Sequence, residues 1–197
     1  MEKIFHEDSS EKIEIDVVPV FERLNLELKK ENQSLTLICA GGFVMQLKGY
    51  RGTIDIDAFY ETNAIIDEII RKVGDEFRIN SPEEVWLNNS FSNRNPKPLD
   101  EYCETIHQFS NLTIKAVTLL YLIGMKLSSA RKIDIRDVAE IVKNHDDFQP
   151  LELLSKLTEM NFSIDISNLL TAFEGARGMF WLEKYYADNE AELSKYF

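Results

Sequence analysis

Val20, Phe21, Leu24 and Leu28 recur at helical spacing just after Pro19, a residue that a helix tolerates in its first turn, and this predicts a helix ending near Lys29 and Lys30. Leu35 to Ala40 is short, almost wholly apolar and halted by Gly41-Gly42, the pattern of a central strand buried on both faces. Phe43 to Leu47 reads as a short helix, Gly49 to Thr53 as a turn, and Ile54 to Phe59 as a second strand. Asn63 is placed to cap a helix that carries Ile65, Ile66, Ile69, Ile70 and Val73 on one side. Residues 1–15 have weak periodicity and read as a lead-in. Residues 75–100, with Pro82, Pro96 and Pro98, predict a short element around Trp86 and then a mobile loop.

Tyr102 to Phe109 and Leu112 to Ala116 alternate as strands do, with Ser110-Asn111 between them as a turn that would pair them. From Val117 the period becomes helical: helices are predicted at about 117–129, 134–144, 150–160, 167–177 and 178–187, with a further turn in the tail. The order of elements is that of an α/β unit over residues 1–116 followed by a helical unit over 117–197.

Charge changes this picture more than size does. A formal net charge of −12 argues against broad attraction to nucleic-acid phosphates or anionic membranes, both of which call for clustered Lys and Arg. The 44% of apolar residues is ordinary for a soluble protein, and Val117 to Leu127 is far shorter than the ~20 residues a membrane span needs. Two cysteines, Cys39 and Cys103, make no disulfide framework and fit a reducing compartment. The polar N-terminus lacks the apolar run of a signal peptide, so the expected location is the cytoplasm. His6, His107 and His145 lack metal-ligand spacing, and no Ser–His–Asp or Cys–His arrangement is legible.

The candidate chemistry lies between residues 41 and 57. On a strand, Asp55 and Asp57 would share one face, roughly 6–7 Å apart, with Ile54 and Ile56 on the other. A glycine pair between strand and helix lets backbone approach a phosphate closely, although a tight turn explains such a pair as well. Gly41-Gly42, then Arg51-Gly52-Thr53, then Asp55-x-Asp57 sets a phosphate cradle beside two hard oxygen ligands, the pairing that Mg²⁺-dependent phosphoryl or nucleotidyl transfer requires.

At these residues the chain resembles the nucleotidyltransferase fold of the DNA polymerase β superfamily, and GGFVMQLKGYRGTIDID is more narrowly similar to its bacterial branch of AbiEii-type toxins. A second similarity lies in Lys126, Arg131, Lys132, Asp134 and Asp137, where that branch has a lysine-bearing helix, a basic turn and Asp-x-x-Asp. The resemblance covers about residues 35–143.

It implies an α+β (α/β) architecture, with a nucleotidyltransferase-like mixed sheet and flanking helices followed by a helical unit that completes the cleft. It also implies Mg²⁺ held by Asp55 and Asp57, with a nucleoside triphosphate as substrate. Gly41, Gly42, Arg51, Thr53 and Lys126 would bind the nucleotide, and Asp134 or Asp137 would complete the catalytic set. The residue-level rival is that Asp134 caps a helix with Asp137 at its third position while Lys126 snorkels.

One departure stands out. Many members of the superfamily carry a third carboxylate on a later strand, whereas Leu112 to Ala116 holds Lys115 and no acid, leaving Glu104 as the substitute. Three readings follow: a toxin-like transferase with an antitoxin partner that modifies RNA or protein, a small-molecule nucleotidyltransferase, or a non-catalytic nucleotide- or protein-binding module.

Overall fold

The computed structural model describes residues 16–53, 55–82, 85–89 and 97–197. The predicted lead-in, Ile54 and most of the polar run after Asn89 lie outside these residues.

Helix α1 (Val17–Lys30) opens on Asp16, whose carboxylate accepts the Val18 N–H, and closes on Lys29 and Lys30 at the negative end of its dipole. It buries Val20, Phe21, Leu24 and Leu28, as the spacing predicts. Strand β1 (Leu35–Cys39) leads into α2 (Gly41–Leu47), and β2 (Ile56–Phe59) into α3 (Ala64–Phe77), where Asn63 accepts the N–H groups of Ile65 and Ile66. A two-residue strand β3 (Leu87–Asn88) follows Trp86, whose indole N–H donates to the Ile70 carbonyl at 2.9 Å. Then come β4 (Cys103–Gln108) and β5 (Leu112–Val117), antiparallel to each other with an irregularity between Thr105 and His107.

The five strands form one mixed sheet in the order β3-β2-β1-β5-β4. Central β1 runs parallel to β5 and antiparallel to β2. Leu35, Leu37 and Cys39 of β1 pack with the apolar faces of α1 and α3, while Ile38 and Ala40 pack with the helical layer. That layer consists of α4 (Leu119–Ser129), α5 (Lys132–Lys143), α6 (Pro150–Glu159), α7 (Ile166–Arg177), α8 (Met179–Asp188) and α9 (Glu190–Leu193). Its core is continuous with Phe59 and Ala116 of the sheet, so the change at residue 117 is a change of layer.

Four expectations shift in detail. Thr36 is exposed, so β1 is covered on both faces only from Leu37 onward. The glycine pair forms the first turn of α2 instead of preceding it. Helix α4 begins at Leu119 because Val117 still pairs in β5 and Thr118 caps the helix by accepting the Tyr121 N–H. Strand β2 begins at Ile56: the Thr53 hydroxyl lies 3.3 Å from the Asp55 carbonyl and 2.8 Å from its Oδ1, and this local bonding holds Asp55 in a bend outside the ladder.

Periodicity gave no hint of Glu27, which sits on the buried stripe of α1. Lys30 and Lys72 each donate to it at 2.6 Å, outweighing the cost of burial, and with Arg23 they draw its carboxyl down to about 2. Cys39 and Cys103 are free thiols, and burial pushes the Cys39 thiol upward. No helix among the described residues is long and apolar enough to cross a membrane.

Candidate functional site

Antiparallel pairing of β1 with β2 brings the end of one strand beside the start of the other: the Ala40 N–H donates to the Asp57 carbonyl at 2.9 Å. Gly41 follows with φ of +60°, a conformation that costs an L-residue roughly 1–2 kcal/mol. A Cβ there would come 2.7 Å from Asp57 Oδ2. At Gly42 a Cβ would come 2.7 Å from Thr53 Oγ1 and 3.4 Å from Arg51 Nη1. The glycine pair thus leaves room for the motif side chains, a packing role that the sequence did not reveal.

Gly41→Ala and Gly49→Ala separate the two costs. Gly49 has φ of +78° and open space around its missing Cβ, so its substitution isolates backbone strain, about 1–2 kcal/mol. Gly41→Ala is expected to lose more in urea unfolding, because Asp57 must also move.

Around the glycine pair the motif side chains bond to one another and to the helical layer. Gln46 of α2 accepts the Thr53 N–H at 3.0 Å, and Thr53 in turn holds Asp55. Arg51 reaches across to α5, where Nε and Nη2 donate to the two oxygens of Asp137 at 2.8 and 2.9 Å, while Nη1 donates to the Gly52 carbonyl at 3.1 Å. This two-pronged geometry is the one guanidinium and carboxylate favour. Lys126 of α4 donates to Asp137 Oδ2 at 2.5 Å and to Asp134 Oδ1 at 3.2 Å. Asp134 Oδ2 accepts from the Ser129 hydroxyl at 2.7 Å and from Arg131 Nε at 2.6 Å.

Lys126, Asp134 and Asp137 are 5%, 2% and 5% exposed, so the snorkelling reading of Lys126 does not hold. Arg131 is the N-cap residue of α5, which places Asp134 inside the first turn and removes the capping reading as well. Each buried charge faces an opposite one, the condition under which burial is tolerated.

Burial alone would raise the carboxyls of Asp134 and Asp137, yet both stay below their ordinary range. For Asp137 the hydrogen bonds of Arg51 and Lys126 prevail, and for Asp134 those of Arg131 and Ser129 with the Lys126 charge. Both acids therefore contribute stability that is complete above their unfolded value of 3.8 and lost as pH falls through their lower folded values. Glu27 acts likewise, from 4.5 down to about 2. The urea midpoint is expected to hold steady with respect to these groups above about pH 5 and to drop steeply below about pH 4.

The two motif acids complete the cluster. Asp55 and Asp57 are half-buried. Arg51, raised chiefly by its hydrogen bond to Asp137, also feels the charge of Asp55, and Arg131, raised chiefly by Asp134, also feels Asp57. Every residue predicted for the site is thus gathered where β1, β2, α2, α4 and α5 meet.

Glu104 is not part of it. Its carboxylate pairs with Lys48 Nζ at 3.3 Å on the surface, and among the described residues no group of three His, Cys, Asp or Glu side chains is arranged to hold a metal. Two contributors escaped sequence reasoning: Ser129, and Gln46, whose only signal was its place in the short helix after the glycines.

His145, which lacks metal-ligand spacing, and Arg177 also have structural partners. The Tyr50 hydroxyl and His145 Nε2 are 2.9 Å apart, which anchors the residue before Arg51 to the end of α5. Arg177 donates to the carbonyls of His145, Asp146 and Phe148 and stacks over Phe173 and Trp181, so it fastens α7 to that loop.

A family model described as a nucleotidyltransferase of unknown function (DUF6036) matches residues 16–177. No curated protein and no solved structure matches the chain. The matched span takes in the whole cluster and stops at the end of α7, and the protein belongs to this nucleotidyltransferase family.

Proposed function

We propose that the protein is a Mg²⁺-dependent nucleotidyltransferase that moves a nucleoside monophosphate from a nucleoside triphosphate to an acceptor hydroxyl. The observation that carries this reading is the gathering of Gly41, Asp57, Thr53, Asp55 and Arg51 beside the bonded group of Asp137, Lys126 and Asp134. Arg51 and Asp137, 86 positions apart in the chain, are held together there, and hydrophobic packing alone does not call for so many charges.

Asp55 and Asp57 are hard oxygen donors, and Mg²⁺ characteristically takes one or two carboxylates while phosphates and waters fill its remaining positions. The pair fits that ion. Bound there, Mg²⁺ would offset negative charge developing on the phosphates. Arg51 supplies positive charge beside the motif, Lys126 holds the buried carboxylates behind it, and Gly41-Gly42 leave room for the Asp57 and Thr53 side chains. The acceptor oxygen bonds to the α-phosphorus as the bond to the β-phosphate's bridging oxygen breaks, pyrophosphate leaves with the electron pair, and the hydroxyl proton passes to solvent. Asp134 and Asp137 are held ionised by cations, so they act by positioning and not as bases, in keeping with a reaction that depends mainly on alignment and charge.

The sequence similarity favours a toxin-like member of the AbiEii branch, cytoplasmic and held by an antitoxin protein, with RNA or protein as acceptor. The net charge of −12 instead favours a small-molecule acceptor. A non-catalytic binding module is supported by one observation, the lack among described residues of a third acid grouped with Asp55 and Asp57.

The test is incubation with each α-labelled nucleoside triphosphate, Mg²⁺ and total RNA, total protein or aminoglycosides. Label transferred to one acceptor class supports the enzyme. Metal-dependent nucleotide binding without transfer supports the binding module, and the absence of both transfer and binding would end the nucleotide reading.

A further inference from the structure

The cations of the cluster differ in what each has left to offer a ligand. Lys126 has its ammonium on Asp134 and Asp137 and is 5% exposed. Arg51 is about one-third exposed at its side chain, and all three of its nitrogens already donate. Arg131 is different: its side chain is 69% exposed, and Nε and Nη2 meet Asp134 while no partner for Nη1 is found among the described residues.

Asp134 can also release it without being stranded. Ser129 and Lys126 remain on that carboxylate, so no bare buried charge results. The charge of Asp57 also reaches the Arg131 guanidinium, and that of Asp55 reaches Arg51.

From this geometry we infer that Arg131 is the residue that grips the phosphate chain of the incoming nucleotide, moving from Asp134 onto the β- and γ-phosphates, and that Lys126 is a positioning residue behind it. The inference rests on the nucleotidyltransferase reading. It differs from what the sequence resemblance implies, which puts Lys126 on the triphosphate. Arginine suits the task because its fork can hold two phosphate oxygens while the spare nitrogen stays bonded.

The experiment is calorimetric titration, with Mg²⁺ present, of wild type, Arg131→Gln, Arg131→Lys and Arg136→Gln. Inorganic tripolyphosphate, the four common nucleoside triphosphates and their monophosphates serve as ligands. Arg136 is an exposed residue on the same helix, so its variant controls for a general loss of positive charge.

Arg131→Gln is expected to weaken tripolyphosphate and triphosphate binding about tenfold or more while leaving monophosphate affinity within about twofold. Arg131→Lys should recover part of the loss, and Arg136→Gln should match wild type. Wild-type affinity in Arg131→Gln, or an equal loss in Arg136→Gln, would overturn the assignment to Arg131 while leaving the proposed function standing. Wild type that binds neither tripolyphosphate nor any triphosphate would overturn both. Circular dichroism checks that the variants are folded, which is expected because Ser129 and Lys126 stay on Asp134 when Arg131 is changed.

Discussion

Lys126→Met is expected to lower the unfolding free energy by about 3–5 kcal/mol, the range found when one partner is removed from a buried ion-paired group. The ammonium is the shared partner of Asp134 and Asp137, which are themselves almost fully buried. Without it, Asp137 keeps only Arg51, and Asp134 keeps Ser129 and Arg131. Both carboxyls should then titrate higher, so the variant's urea midpoint should begin to fall at a higher pH than that of wild type. Urea unfolding at pH 7 and at pH 5 measures both effects. A loss below about 1 kcal/mol with an unchanged pH profile would show that the lysine is structurally idle.

Asp55→Asn and Asp57→Asn are expected to do the reverse, leaving stability nearly intact and removing transfer. The two acids are half-buried, sit next to each other in the motif, and repel one another as carboxylates. Neutralising either should therefore leave the melting temperature unchanged or slightly raised. If they hold the metal, each substitution should slow nucleotidyl transfer by roughly 10²–10³-fold, comparable to losing a key electrostatic contact in other enzymes. The double variant should be little worse than either single one, because the two act as a unit. Transfer rates near those of wild type would remove these residues from the catalytic role, and a large loss of stability would make them structural.

The contrast between these two results mirrors how the site is built. One half, at the head of β2, is half-exposed. The other half, between α4 and α5, is a closed network that fixes where the cations stand.

The order of elements, the two-sided apolar β1, the capped α3 and the helical run after the sheet were all legible in the sequence. Each depends on local periodicity or on a capping side chain within four residues, so nearest-neighbour physics suffices. The candidate site residues were legible too, because motif acids, glycines and cations cluster in two short segments. What the sequence could not tell was how those segments meet. That Gly41 is needed to clear Asp57, that Arg51 spans 86 positions to Asp137, and that Lys126 is enclosed while Arg131 is open all arise from the antiparallel pairing of β2 with β1 and from helices α4 and α5 closing over that corner. The same limit explains Glu27, whose polar identity on an apolar stripe makes sense only once Lys72 is brought in from α3. Which residue types stand close together along the chain could be read from the order of amino acids. Which of them are buried against one another and which stay exposed was set by the fold, because burial and charge pairing depend on contacts between residues far apart in the chain.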